Sequence, residues 1–323
     1  MRGTPLNLDE TLTIIQTGQY IIDADLAGHS LANLDLTGKV FERVGLRGCD
    51  LSGSNLVGCQ FRKCDLTGAR LNGADCTDAS FSAATLAESL FVGATLYNTT
   101  FAKCETGVID FSGANMERFT VIETPMPGAI FNGTNLSKTI FTSTPLDRVR
   151  FPGCTLTLAV FNKASLQGAD FSGTDLSKCR FAGANLRGAR FTGARGVYTA
   201  FTEAHAEKAD FTESELSMAN FSGAILDGSR FSRALLEKSL FVESSLVRAD
   251  FSGARLAYTD FSQAIVTGAD FSNSDLSMAN IHRANFSDAR LTGANTNETR
   301  KTDPELAEGE TWVSPMASPK ERK

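Results

Sequence analysis

Residues 171–190 read FSGTDLSKCRFAGANLRGAR, a stretch in which Phe or Leu returns at every fifth position. The same register continues on both sides of it. Taking every fifth residue from Ile21 to Thr296 gives 56 positions, and Leu, Phe, Ile, Val or Met occupies all but five of them. Of the 23 Phe residues, 22 fall in this register, and Phe119 is the exception. A five-residue repeat therefore organises nearly the whole chain. The positions that lack a large apolar residue are Cys76, Thr106, Gly196, Ala206 and Thr296.

Two further features accompany each large apolar residue. The residue two positions earlier is small, as in Ala169 and Thr174, and the residue immediately before is often Asp or Asn. This A(D/N)(L/F)xx pattern resembles the pentapeptide-repeat family, and the resemblance covers roughly residues 21–299. It implies an all-β fold, a right-handed quadrilateral β-helix.

The five-residue period agrees with that fold on physical grounds. It matches neither the ~3.6-residue period of a helix nor the two-residue period of a strand, so each pentapeptide is expected to be a short extended piece followed by a turn. Strand alternation then directs the large residue and the small residue two before it to the same, inward side. Four such sides form a coil of twenty residues, and 56 positions give about fourteen four-sided coils. At ~4.8 Å per stacked strand, the predicted rod is about 65 Å long.

The two ends of such a stack expose strand edges and need caps. Residues 1–20 are assigned to an N-terminal cap that includes a short helix. The segment 7–18, NLDETLTIIQTG, predicts this amphipathic helix, because Leu8, Leu12 and Ile15 lie on one of its faces.

The β-helix is predicted over residues 21–299, and a different segment follows it. Residues 300–323 are polar, contain three prolines and lack the register, so we predict a flexible C-terminal tail. The Trp312-Val313 pair within it is either incidental or a short docking motif.

Charge and composition narrow the function classes. The chain has 31 Lys and Arg against 37 Asp and Glu, a net charge of −6, which argues against direct binding to nucleic acid. No apolar run approaches the ~20 residues of a membrane span, and the first residues lack the apolar stretch of a secretory signal. We therefore expect a cytoplasmic protein with no membrane contact and with its seven cysteines as free thiols.

The sequence shows no recognisable active site. The three histidines, His29, His205 and His282, lie far apart in the coil arrangement, so no pair is expected to hold a metal ion or serve a nucleophile. Cys59 and Cys64 have a spacing that resembles a metal-ligand pair, but both occupy the inward small position. Filling the interior explains them better, and we predict no catalytic residue, no metal site and no cofactor. The other cysteines at that position are Cys49, Cys104, Cys154 and Cys179.

One column of turn residues is the first candidate for a binding surface. Two positions after the large residue, the third side of the coil has mostly Gly, whereas the fourth side has a run of long side chains. Tyr, Met and Arg are enriched at recognition surfaces. We predict a partner-binding ridge about 38 Å long, with tolerance of large side chains at this turn as the alternative interpretation. The ridge consists of Arg118, Lys138, Leu158, Lys178, Tyr198, Met218, Lys238, Tyr258 and Met278.

The middle of the rod gives a second candidate. Between residues 105 and 160 several usual Phe and Leu residues are replaced, which favours a bend or bulge in the coil over a partner dock. Two stacked pairs of residues in this region give a candidate apolar patch, and they are Pro125 with Pro145 and Ile140 with Val160.

Two functions from different classes follow. The first is a non-catalytic protein-binding rod that acts as an adaptor, scaffold or secretion-associated effector in a bacterium. The second is implied by the resemblance, since some pentapeptide-repeat proteins resemble double-stranded DNA, bind DNA gyrase or topoisomerase IV, and protect against quinolones or inhibit the enzyme. That mimicry needs sustained negative charge. Charge instead alternates along the third side, so the first function is favoured and gyrase or topoisomerase IV is the alternative partner. The alternating residues are Arg150, Asp170, Arg190, Asp210, Arg230 and Asp250.

Overall fold

The chain winds into a four-sided parallel β-helix in a computed structural model that describes residue 13 and residues 15–311. Every strand pair and bridge joins residues twenty positions apart. We number the sides from the one that contains Tyr20, so that Asp25, Ser30 and Asp35 begin sides 2, 3 and 4. On side 1 the pairing is unbroken from Tyr20 to Arg300, which makes fourteen steps. The predicted all-β solenoid is confirmed.

Side 1 contains the longest extended pieces of the described chain. Six three-residue strands form one parallel sheet in sequence order. Elsewhere the stacked pieces pair through single bridges, because a turn follows each large inward residue. The strands are β1 (Tyr20–Ile22), β2 (Val40–Glu42), β3 (Gln60–Arg62), β4 (Ser80–Ser82), β5 (Thr100–Ala102) and β6 (Thr120–Ile122).

Two columns of phenylalanine rings fill the interior, one from side 1 and one from side 3. Phe221 is fully buried and stacks on Phe201 and Phe241, with ring centroids 4.7 and 4.8 Å apart. Phe119 departs from the register but is also fully buried, with its ring 4.8 Å from that of Phe101. Val121 occupies the large inward position of that coil on side 1, and Phe119 supplies the aromatic ring that is missing there.

The turns explain the preference for Asp and Asn before the large residue. At Asp35 the carboxylate Oδ1 accepts hydrogen bonds from the backbone N–H and the hydroxyl of Thr37, at 3.1 and 2.6 Å. The same acceptor role recurs in many coils, with Asn as well as Asp. A short side chain that accepts the N–H two residues on stabilises the turn, so the motif is a local hydrogen-bond requirement.

The predicted irregularity in the middle does not insert a residue. Pairings on side 1 remain twenty apart through residues 105–160, for example Thr120 with Ile140. The bulge that the sequence favoured is therefore wrong. On side 2 no bridge joins Pro125 to Glu105 or to Pro145, because a proline has no N–H to donate to the coil before it.

Helical segments lie at both ends of the described chain. Thr13 and residues 15–17 are helical, and Ile15 is buried at 3% exposure, while Leu8 and Leu12 lie outside the described residues. Within the segment predicted as a flexible tail, the structure has a helix, α1 (Pro304–Thr311).

The start of α1 shows why part of that segment is ordered. Asp303 Oδ1 accepts the N–H of Glu305 at 3.0 Å, and Pro304 occupies the first helical position, where its missing N–H costs nothing. Sequence reasoning overlooked this N-cap because the prolines dominated the interpretation. Trp312 and Val313 lie outside the described residues. None of the helices in the described part of the chain has the length and apolar character that a bilayer span requires.

Candidate protein-binding surface

The structure places all nine ridge residues at one corner of the rod, between sides 4 and 1. Each lies twenty residues from the next, and each has a left-handed backbone conformation, with φ between 57° and 64°. An L-residue in this conformation costs on the order of 1 kcal/mol relative to glycine. Side 3 avoids that cost with glycines such as Gly173, whose φ is 68°. Non-glycine residues such as Lys163 and Lys208 have the same conformation at other corners, so the distinguishing feature of the ridge is its nine consecutive long side chains.

The apolar members of the ridge face solvent. Tyr198 is 60% exposed and Tyr258 is 54% exposed. Leu158 and Met218 are also exposed, whereas Met278 is half-buried. An aromatic side chain presented on a rigid turn offers contact area at a small cost in conformational entropy.

The ridge has four cations and no carboxylate of its own. Lys138 Nζ lies 2.7 Å from a carboxylate oxygen of Glu117, and this hydrogen bond holds the pKa of Glu117 below its ordinary value. The guanidinium of Arg118 lies 5.8 Å from the ring centroid of Tyr97. Among the described residues, Lys178 and Lys238 have no ion-pair partner, so their charges are available.

The second predicted patch is divided between two sides of the rod. Ile140 and Val160 are bridged neighbours on side 1, whereas Pro125 and Pro145 lie on side 2, away from the ridge. Leu158 precedes Val160 by two residues, across the corner. The structure thus brings half of this patch next to the ridge, and Leu158, Ile140 and Val160 form one apolar area between Lys138 and Lys178.

A shallow groove beside Tyr198 was not predicted. Gly196 stands at an inward position that Leu fills in most other coils of side 4, and a groove of about 600 Å³ opens over it. A Cβ on Gly196 would lie 2.5 Å from Thr199 Oγ1 and 2.9 Å from the backbone carbonyl carbon of Leu176, so the Thr199 hydroxyl and the backbone occupy the space of the missing side chain. Asp175, Arg195 and Glu215 line the groove. The sequence had marked Gly196 only as an exception to the register.

A repeat of three coils within the ridge was also missed. Lys178, Tyr198 and Met218 are followed, sixty residues later, by the same three residue types. The surrounding sequence repeats as well, since residues 217–220 and 277–280 both read SMAN. A comparison of the sequence with itself at sixty residues would have found it. The second triplet is Lys238, Tyr258 and Met278.

Side 3 has the alternating charges that the sequence predicted. Ion pairs join Arg150 to Asp170 at 3.7 Å and Arg230 to Asp210 at 3.8 Å. These pairs are exposed and contribute at most about 1 kcal/mol each. Their effect on this face is to cancel charge.

The cysteines and histidines are spread through the rod. All seven cysteines are buried and free, and burial raises the pKa of the Cys59 thiol to about 11. Its Sγ donates to the carbonyl of Leu36 at 2.9 Å. His282 Nδ1 accepts the N–H of Asp303 at 3.2 Å. In the described ranges, no three His, Cys, Asp or Glu side chains are grouped to hold a metal ion.

Known sequence families match the rod at several places. The family described as pentapeptide repeats (8 copies) matches residues 45–75, 74–105, 229–268 and 256–293, and the pentapeptide repeat region matches residues 144–221. These matches cover more than half of the chain. The chain belongs to the pentapeptide-repeat family. None of the curated proteins matches this pentapeptide-repeat protein in sequence.

Solved structures of other pentapeptide-repeat proteins are similar to it. One is HetL, a protein involved in heterocyst differentiation regulation in the cyanobacterium Nostoc sp. Strain PCC 7120. It is 24% identical to this chain, the match covers 90% of this chain and 94% of HetL, and the TM-score is 0.24. Another is a trypsin-treated form of QnrB1, a plasmid-mediated fluoroquinolone resistance protein, with 25% identity, coverage of 64% and 91%, and a TM-score of 0.34. A third, from the Arabidopsis thaliana thylakoid lumen, has 21% identity, coverage of 45% and 76%, and a TM-score of 0.21. The roles named here are those of the other proteins.

Proposed function

We propose that this pentapeptide-repeat protein is a non-catalytic protein-binding rod, which acts as an adaptor, scaffold or secretion-associated effector in a bacterium and binds its partner through the ridge. The observation that supports the proposal is the column of nine long side chains at one corner, which includes two exposed tyrosines and two lysines, Lys178 and Lys238, without an ion-pair partner among the described residues.

The architecture suits this role. The stacked aromatic interior and the unbroken pairing on side 1 hold the ridge at a fixed spacing, so a partner meets a preorganised surface. The apolar area formed by Leu158, Ile140 and Val160 extends that surface onto side 1. Rigid presentation lowers the entropy lost on binding.

The alternative, a DNA mimic that binds gyrase or topoisomerase IV, has less support. A duplex mimic presents carboxylates in series. Here the ridge has cations, and side 3 pairs its carboxylates with arginines, as in Arg290 with Asp270 at 3.0 Å. A supercoiling assay with purified gyrase tests this alternative directly, and we expect no inhibition and no protection from a quinolone.

Affinity capture tests the proposal. The wild-type chain and a ridge variant, Lys138→Glu, Lys178→Glu and Tyr198→Ala, are compared in a lysate of the organism that encodes the protein, with mass spectrometry as the readout. The substitutions suit the backbone, because Glu203 and Ala83 already occupy left-handed turns at φ 56° and 51°.

The matched control carries Lys163→Glu and Lys208→Glu, which lie at other corners with φ 57° and 59°. We expect a protein that the wild type and the control retain and the ridge variant loses. A partner retained by all three would place the binding surface elsewhere. No retained protein at all would contradict the proposed function.

A further inference from the structure

We propose that the ridge binds an acidic, extended polypeptide segment that also presents apolar side chains, through two equivalent triplets. Lys178, Tyr198 and Met218 form the first triplet, and the second repeats it sixty residues later. This inference rests on the proposed function and names the chemistry of the partner.

The repeat gives the surface a defined spacing. Sixty residues are three steps of the twenty-residue pairing, so Lys178 and Lys238 lie about 14 Å apart at ~4.8 Å per step. An extended chain advances ~3.3 Å per residue, so a segment that lies along the corner covers this distance in about four residues. Carboxylates about four residues apart therefore meet the two lysines.

Charge selects an acidic partner. The chain has a net charge of −6, yet the ridge has four cations and no carboxylate. Two carboxylates next to ridge residues already have cationic neighbours, since Glu117 pairs with Lys138 at 2.7 Å and Glu237 lies 3.8 Å from Arg255. This leaves Lys178 and Lys238 to attract a negatively charged group.

The apolar members favour a polypeptide over a nucleic acid. Tyr198 and Tyr258 lie between the lysines and the methionines at 60% and 54% exposure, and Leu240, which follows Lys238 on side 1, is 39% exposed. Methionine and leucine surfaces pack against apolar side chains, which a polypeptide supplies and a phosphate backbone does not.

The backbone N–H groups of Lys238 and Tyr258 are not free to pair with an added strand. The turn N–H groups of Lys238 and Tyr258 donate to Ala257 and Ser277 of the following coil, both at 3.0 Å. Side chains therefore provide the recognition, so substitution of side chains alone is expected to abolish it.

A displayed library of random peptides, each about twelve residues long and so able to span both triplets, provides the probe. It is selected on the full chain, and binding of the recovered peptides is measured by fluorescence anisotropy. The test variant is Lys178→Glu with Lys238→Glu. The control is Lys163→Glu with Lys208→Glu, which makes the same charge change in the same backbone conformation at other corners.

We expect recovered peptides with net negative charge, carboxylates about four residues apart and apolar residues between them. Their affinity is expected to fall at least about tenfold in the test variant, to stay unchanged in the control, and to weaken as salt is raised. Tyr198→Ala with Tyr258→Ala, which leaves the charge unchanged, is expected to weaken binding as well.

Several results would overturn the inference. These are the recovery of no peptide, the recovery of neutral or basic peptides, equal binding to the test variant, or tight binding of single-stranded DNA to the ridge. If peptides bind equally to the test variant, the rod remains a protein-binding module and only the ridge loses its role. If lysate capture also finds no partner, the proposed function itself fails.

Discussion

Phe221 is the position at which the aromatic interior can be tested most directly. Its ring is fully buried, stacks on two rings at 4.7 and 4.8 Å, and meets Phe211 and Phe231 edge-on at 5.6 Å. Phe→Ala in a packed core costs about 3–5 kcal/mol through lost burial and the cavity left behind. We expect Phe221→Ala to lower the free energy of unfolding by that amount.

Phe286 in the last coil is the matched control. It is only partly buried, and among the described residues its one ring neighbour is Phe271, at 5.4 Å, so Phe286→Ala is expected to cost less than about 2 kcal/mol. Urea denaturation followed by far-UV circular dichroism measures both variants by linear extrapolation. A central defect can also divide the unfolding of a solenoid into two transitions. If Phe221→Ala costs no more than Phe286→Ala, the stacked rings do not stabilise the rod as argued.

Three further predictions follow from the turns and the interior. Burial raises the pKa of the thiols, to about 11 for Cys64 and about 12 for Cys49. A thiol reagent at about pH 8 is therefore expected to label the native protein far more slowly than the urea-unfolded chain. Equal labelling rates would contradict the burial of the thiols. Hydrogen bonds from the hydroxyl and N–H of Thr37 hold the pKa of Asp35 below its ordinary value. The stability that the Asp35 carboxylate contributes is therefore fully present above its unfolded pKa of about 3.9 and is lost as the pH falls through the lower folded pKa. Asp35→Asn, measured by urea denaturation across that range, is expected to show a smaller loss than wild type. Gly173→Ala is expected to cost about 1 kcal/mol because of its φ of 68° alone. Gly196→Ala is expected to cost about 1–3 kcal/mol because the new methyl group would overlap the preceding coil. Thermal unfolding of both variants compares the two costs.

The sequence predicted the solenoid and the position of each inward residue, because the interior of the rod is filled only if the five-residue repeat is kept. Each large residue must point into a narrow interior, so one shift in register would expose an entire side of the coil. Phe119 shows the limit of that reasoning, since the sequence identified it only as an exception to the register, whereas in the structure its buried ring replaces the one missing at Val121. Only packing in three dimensions reveals such a compensation.

The ends and the middle were predicted less well. The N-cap of α1 is a local signal at Asp303 and Pro304 that the sequence contained and that was overlooked. In the middle, Pro125 and Pro145 contributed to the predicted bulge, whereas in the structure their missing N–H groups remove ladder bonds without inserting a residue.

By itself, the sequence determined the five-residue period, the inward and outward faces, and which residues stack in one column, because these follow from the alternation of a buried chain. The tertiary structure alone decided that the ridge residues occupy left-handed turns, that Leu158 and Ile140 are both 40% exposed on either side of a corner, and that a groove opens at Gly196. The reason is that a period specifies positions along the chain, whereas the direction of a turn side chain and the relaxation of the backbone around a missing one depend on the neighbouring coils.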